Sequence, residues 1–466
     1  MQQMDTSTGT LTRLVWPIFI DNILRTIMGN VIIMLLGQLS GAVVAAVGTA
    51  NQIFNMVGLI YSMFGAAAGI VLNQQLGGGR DKDAADTMVI VTGVSVAFSA
   101  VCSAVMFFFA ADLLRMIGLE EELVRDGAAY LRIIGGLSSL HAVNYLAIAI
   151  CRSYGYSRFP MFVSLGMNAV HLLGSVVVVL RPFETPFHGA TGVAYAASFS
   201  VLCSLFPLFW LLVRRIGYRL YFRRIQVSVT GVVVSVLKVA IPSGVEALSY
   251  NIGQIVVTSF LTPLGTTVLT TRVICQTLTG FFFMGSYSIA QGGQIIVGHL
   301  AGAGQLEEAR TSTMRNWRFA LVFNLLFASA GLLLARPLIG LYSTDPEIVR
   351  LGTIVLAIDM IIEASRASSM VMGYAMRGVG DALYTMRISL PIVWTVNVGL
   401  GWLLSRQFRL GLPGAWIAVA TDETLRGVMV YLRWRSGKWK TKVLVGAPST
   451  AGEIPAETSG GPPSGD

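Results

Sequence analysis

The chain has 466 residues, 54% of them hydrophobic and 12% charged, with a mean hydropathy of +0.69. A soluble fold of this size does not carry so much apolar surface, so the protein is read as integral to a membrane. The net charge of +9 does not point to nucleic acid, because the basic residues sit in short connections between apolar runs and no aromatic-interleaved basic groove appears.

The opening MQQMDTSTGTLTR lacks a basic region followed by a small-residue cleavage site, so no removable signal peptide is expected and the run from Leu14 serves as the first span. Counting apolar runs of about 17–25 residues gives twelve spans, near 14–36, 48–73, 88–110, 128–150, 161–180, 190–213, 236–260, 268–297, 317–335, 351–374, 388–405 and 412–432. With a cytoplasmic N-terminus, one side collects Arg80 and Lys82, Arg152 and Arg158, Arg214, Arg215, Arg219, Arg223, Arg224 and Lys238. The same side takes Arg310, Arg315 and Arg318, Arg377 and Arg387, and Arg433, Arg435, Lys438, Lys440 and Lys442. The other side holds only Arg115, Arg125, Arg181, Arg336, Arg350, Arg406 and Arg409. This asymmetry places both termini in the cytoplasm of a cell whose inner (plasma) membrane the chain crosses.

The stretch Leu14–Ala84 recurs without a gap at an offset of 225: Pro17 falls on Pro242, Asp21 on Glu246, Asn51 on Gln276, Gly77 on Gly302, Gly79 on Gly304 and Asp83 on Glu308. Further on, Val124-Arg125 falls on Val349-Arg350 and RSYGYS from Arg152 on RGVGDA from Arg377, while Gly189 and Gly192 meet Gly411 and Gly414 at offset 222. Six spans per half repeat in parallel orientation, with substrate expected between the halves. The expected units are an N-terminal six-helix lobe with its connecting loop over 1–225, a C-terminal lobe over 226–440, and a Pro/Gly/Ser-rich disordered cytoplasmic tail over 441–466.

Each repeat opens with proline and, one turn deeper, a carboxylate. A carboxylate on an apolar helix is expensive in lipid and marks an interior or a water-filled path. Asp21 has Arg25 at i+4 and reads either as a neutralised pair or as an acid that exchanges Arg25 for a proton, a sodium ion or a cargo cation. Glu246 has no basic residue at i±3 or i±4 and is the foremost candidate for binding and releasing a coupling ion, the bland alternative being a permanent cross-helix partner such as Arg272.

Ser249, Tyr250, Gly253 and Gln254 continue the Glu246 face as a cavity wall or a packing stripe, and Asn51, Gln52 and Gln276 offer uncharged amides to substrate or to neighbouring helices. Asp359, Glu363 and Arg366 form a one-turn-spaced charged strip, and Asp422, Glu423 and Arg426 a self-compensating cluster. The 19 methionines, with Phe281, Phe282, Phe283 and Tyr287, give a soft apolar surface. His141 and His171 read as packing residues, as do Cys102, Cys151, Cys203 and Cys275, which lack metal-ligand spacing. Arg152 and Arg377, at span ends, read as residues that fix loops. GGGR at Gly77 is not followed by Gly-Lys-Ser/Thr, and no H-E-x-x-H or G-x-S-x-G occurs, so neither nucleotide hydrolysis nor another enzymatic activity is expected.

Several of these stretches resemble the multidrug and toxic compound extrusion (MATE) family: the Pro-x-x-x-acid openings at Pro17/Asp21 and Pro242/Glu246, AAVGTANQI from Ala45, and the Gly-rich exits Gly77–Arg80 and Gly302–Gln305. RSYGYSRFPM from Arg152 with Asn168, IEASRASSM from Ile362 and RGVGD from Arg377 extend the likeness over about residues 10–435. The resemblance implies an all-α, V-shaped transporter of twelve helices in two pseudo-symmetric lobes, exporting amphipathic, often cationic, organic compounds in exchange for protons or sodium ions. It also puts Glu363 and Arg366 in a recurrent pattern. Many relatives carry an aspartate in the middle of the first span, in text like NVD; here the run is Asn30-Val31-Ile32, so that acid is not carried over.

The expectation is therefore a monomeric secondary antiporter with a small-molecule organic substrate, no cofactor beyond the coupling ion and no nucleic-acid partner. Coupling is assigned to Asp21, Glu246, Asp359 and Glu363. The cavity is assigned to Arg25, Asn51, Gln52, Tyr250, Gln254, Gln276, Phe283 and Arg366. A flippase of an amphipathic or lipid-linked substrate is the alternative; it requires basic groups in the central cavity.

Overall fold

A computed structural model describes residues 8–38, 40–180, 189–218 and 225–445. Among them there is no strand. The first bundle comprises α1 (Thr8–Gly37), α2 (Gly41–Gly77), α3 (Asp81–Phe108), the short α4 (Ala110–Met116), α5 (Glu121–Gly136), α6 (Ser138–Ser153), α7 (Arg158–Leu180) and α8 (Gly189–Leu211). The second comprises α9 (Val229–Leu261), α10 (Thr266–Gly302), α11 (Leu306–Leu333), the short α12 (Ala335–Gly340), α13 (Pro346–Val379), α14 (Ala382–Ile392) and α15 (Gly411–Arg435).

Nine helices among the described residues are long and apolar enough to cross a membrane, and ten if α5 and α6, bent by 42° at their junction, form one span. The expected span 128–150 is thus two helices. The expected span 388–405 is α14 continued by two π-helical stretches, Val393–Leu400 and Leu403–Gln407. α13 and α15, 34 and 25 residues long, supply the other two crossings; the charges midway along them, Asp359, Glu363, Asp422, Glu423 and Arg426, are buried inside the bundle. Large apolar side chains such as Phe108, Leu173, Phe206, Ile255 and Leu326 are exposed on the bundle surface, as a lipid-facing surface requires.

Two prolines organise the join between the bundles. Leu11, Leu14 and Ile18 of α1 pack into a core made by α10, α13, α14 and α15, whereas Ile32 and Leu36 of the same helix pack within the first bundle. α9 mirrors this: Val232, Val236 and Val239 join a core of α2, α3, α6 and α8, and Val257 and Leu261 join their own bundle. Each helix therefore changes partner at its internal proline, Pro17 or Pro242, where the ring removes an i→i−4 hydrogen bond and permits a bend.

At the arginine-rich end the last turns of α2 and α10 touch. A β-carbon added at Gly77 would lie 1.9 Å from the His299 carbonyl oxygen, and one at Gly302 would lie 1.8 Å from that of Gln74. Only glycine permits so close an approach of two backbones. Towards their other ends, Gln52 and Met56 of α2 and Val273 and Gln276 of α10 are exposed.

The tail expected to be disordered from residue 441 is ordered through Val445. Trp439 stacks on Trp434 with centroids 4.1 Å apart and planes 4° from parallel, Lys440 pairs with Glu307, and the backbone N–H groups of Leu444 and Val445 donate to Gln74 Oε1 at 2.9 and 3.1 Å. The tail from residue 446 onward, together with Arg181, Arg219, Arg223 and Arg224, lies outside the described residues.

Candidate functional site

A cavity of about 300 Å³ lies between the bundles, lined from α1, α2 and α6 on one side and α9, α10 and α13 on the other. The offset of 225 relates its two walls, but their chemistry differs. Ser62, Ala66 and Ala149 of the first bundle stand where the second has Tyr287, Gln291 and Tyr374. One wall is small and smooth, the other aromatic and hydrogen-bonding.

Asp21 lines this chamber and is 2% exposed. Its Oδ2 accepts from Arg152 Nη2 at 2.8 Å, and Arg25 Nε stands 3.7 Å from its Oδ1. Glu246 occupies the repeat-related place: its Oε2 accepts from Arg377 Nη2 at 2.8 Å and its Oε1 from Ser389 at 2.9 Å. Arg377 lines the chamber; Glu246 adjoins it through that arginine. The two ion pairs are copies of one another, each joining an acid one turn past the helix proline to an arginine 131 residues later. Both carboxylates are thus paired, yet at the central void rather than remote from it.

This corrects the assignment of Arg152 and Arg377 to loop fixing. Each reaches the chamber from the end of α6 or α13. It also corrects the alternative partner for Glu246, since Arg272 donates to Gln254 Oε1 at 3.1 Å instead. A partner search confined to in-helix spacing cannot find an arginine on another helix. The signal was nonetheless present in the repeat, which carries Arg152 onto Arg377 as it carries Asp21 onto Glu246.

Several expected cavity residues lie elsewhere. On α9, Ser249 accepts from Trp394 Nε1 at 3.0 Å, Gly253 faces Val393, Tyr250 lies under the Arg426 guanidinium, 5.7 Å from ring centroid to Cζ, and Gln254 is taken by Arg272. That stripe packs α9 into its own bundle. Asn51 accepts from Tyr130 at 3.2 Å, tying α2 to α5, while Gln52 and Gln276 are exposed and outside the chamber lining.

Asp359, Glu363 and Arg366 are likewise absent from that lining. Glu363 is fully buried and pairs with Arg366, whose guanidinium sits 5.4 Å from the Phe283 ring centroid. Arg426 binds Asp422 at 2.7 Å and Glu423 at 3.0 Å, and Glu423 also accepts from Ser369 at 2.6 Å. Three acids and two arginines thus form a buried network inside the second bundle, with Asp359 buried beside them. Among the described residues no cluster of His, Cys, Asp or Glu has the arrangement of a metal site.

Below the chamber the arginine-rich end is latched by a second repeat-related pair. Gln74 Nε2 donates to the Gly378 carbonyl at 2.9 Å, and His299 Nε2 donates to the Ser153 carbonyl at 2.9 Å. Residues 74 and 299, like 153 and 378, are 225 apart, so each bundle offers one donor and one carbonyl to the other.

The MatE family model matches residues 17–177 and 242–403, one match per bundle. Among curated proteins, a Bacillus subtilis chain named as the uncharacterised transporter YisQ is 33% identical over 435 residues, covering 93% of this chain and 96% of that one. A Thermotoga maritima chain named as a probable multidrug resistance protein NorM is 23% identical over 441 residues, covering 93% and 94%. Among solved structures, a mutant of the Vibrio cholerae MATE transporter VcmN superposes with a TM-score of 0.85 at 18% identity, covering 93% and 98%.

Proposed function

The chain belongs to the MatE family of multi-pass membrane transporters, and from that premise we propose that it is a secondary active antiporter. It expels amphipathic organic compounds in exchange for protons or sodium ions, by alternating access of the chamber between two rocking lobes. The arginine-rich end is the cytoplasmic one, and the latched structure is the state closed to the cytoplasm. The observation that carries this reading is the pair of repeat-related carboxylate–arginine contacts at a chamber between lobes that touch at one end.

In this mechanism Asp21 and Glu246 are where the coupling ion enters. A proton on either carboxyl, or a sodium ion beside it, removes the charge that holds Arg152 or Arg377 and changes which facing of the lobes is favoured. Glu363, Asp422 and Glu423 of α13 and α15, each already held by Arg366 or Arg426, keep the second lobe rigid. Efflux of an amphipathic dye from proteoliposomes, under a proton gradient and then a sodium gradient, tests the reading. Gradient-driven flux is expected from the wild type and lost in Asp21→Asn with Glu246→Gln; a double variant that still follows the gradient rejects coupling through these acids.

A further inference from the structure

We infer that the cargo of the interlobe chamber carries an anionic group, a carboxylate, sulfonate or phosphate, which docks on Arg25; the inference rests on the chamber being the cargo site. Three guanidiniums line that chamber, those of Arg25, Arg152 and Arg377. Two carboxylates face them, and each is engaged at 2.8 Å, Asp21 by Arg152 and Glu246 by Arg377. One positive charge is left over. Guanidinium stays protonated at any accessible pH, so that charge is permanent.

Arg25 is the residue that carries it. Its side chain is 32% exposed, and its nearest acid contact is the 3.7 Å approach to Asp21, a carboxylate already taken at its other oxygen. The face of the Tyr145 ring lies 5.4 Å from its Cζ. The donors beside it point the same way: the N–H groups at Nε of Arg152 and Nε of Arg377 are buried and donate to no partner. An uncompensated guanidinium in a low-dielectric site is unfavourable until an anion reaches it, and a planar oxyanion takes it in two parallel hydrogen bonds. The small, smooth wall around Ala66 and Ala149 and the rings of Tyr287 and Tyr374 receive the apolar body of the same molecule. A cationic cargo meets the opposite situation. It must displace an arginine from a formed pair and leave two positive charges unpaired.

Two xanthene dyes of matched shape test this by fluorescence anisotropy with the purified full chain in detergent: fluorescein, a carboxylate, and a rhodamine ester, the cation on the same ring. Fluorescein is expected to bind the wild type more tightly than the rhodamine ester. Arg25→Gln should weaken fluorescein by about tenfold or more, whereas Arg25→Lys, which keeps the charge but not the paired N–H geometry, should bind more tightly than Arg25→Gln and less tightly than wild type. Tighter binding of the cation, binding of neither dye, or undiminished fluorescein binding by Arg25→Gln overturns the inference. Competition by a short-chain phosphatidylglycerol separates a lipid phosphate from a soluble anion as the natural source. If fluorescein binds but no gradient moves it across proteoliposomes, the antiport reading fails while the anion site stands.

Discussion

Replacing Gly77 or Gly302 with alanine should prise open the arginine-rich end. The new β-carbon would sit 1.9 or 1.8 Å from a backbone carbonyl oxygen of the opposite lobe, where ordinary contact needs about 3.5 Å. A backbone atom within a helix cannot swing aside as a side-chain tip can, so α2 and α10 must separate locally by roughly 1.5 Å. The latch bonds from Gln74 and His299, both 2.9 Å now, would then exceed hydrogen-bonding range. Two such bonds at about 1 kcal/mol each, with some lost packing, remove roughly 2–3 kcal/mol from the closed state. A 99:1 preference corresponds to about 2.7 kcal/mol, so such a preference would fall to near parity. Alanine also favours helix over glycine, which separates this effect from helix unfolding. Spin labels at Lys82 and Gln305 of a cysteine-free variant, read by double electron–electron resonance, should show a second, longer distance. Because the two glycines are repeat-related, both substitutions should do so to a similar extent. An unchanged single distance in both variants would refute the claim that these glycines set the closed state.

Truncation after Gly437 removes the Trp439–Trp434 stack and the two donors to Gln74; the same labels should then report a smaller shift towards the open form, on the scale of about 1 kcal/mol. Glu423→Gln leaves Arg426 and Arg366 short of a buried partner and should lower stability by about 3 kcal/mol, seen as a lower melting temperature in detergent, whereas Glu121→Gln, which breaks the exposed pair with Arg115, should leave it unchanged. Gln254→Ala, which strips Arg272 of its side-chain acceptor inside the second lobe, should cost stability without altering the dye affinities that report on the chamber.

The repeat made the architecture legible because a gapless offset of 225 preserves helix phase, so prolines, acids and terminal glycines fall on equivalent turns. The partners of the acids were harder to read. Helical spacing exposes contacts at i±4, and Arg152 lies 131 residues from Asp21. Pairing repeat-related acids with repeat-related bases includes both ion pairs among its candidates, whereas the Gln74 and His299 latch, made to backbone carbonyls, leaves no such mark in the sequence. The polar stripe on α9 misled for another reason. Ser249, Tyr250 and Gln254 mark a face that avoids lipid, and a helix offers that face equally to water or to neighbouring helices. Which of the two covers it depends on Trp394, Arg426 and Arg272, contributed by other helices.

In the proposed mechanism, the crossing of α1 and α9 is what would let a charge on one carboxyl reach the whole molecule. The base of α1 is embedded in the opposite bundle and its upper half in its own, so any parting of the lobes must be absorbed between Ile18 and Ile32. The backbone is weakest at Pro17, where a helical hydrogen bond is missing, and Asp21 is one turn further on. Its pair with Arg152 binds α1 to α6 just above that weak point, while Arg377 does the same for Glu246 on α9. Neutralising the carboxyl would, on that mechanism, release the helix where it is already able to bend. In the proposed mechanism, local protonation and global rocking would thus be tied by the position of one proline in each repeat, with no relay of side chains needed between them.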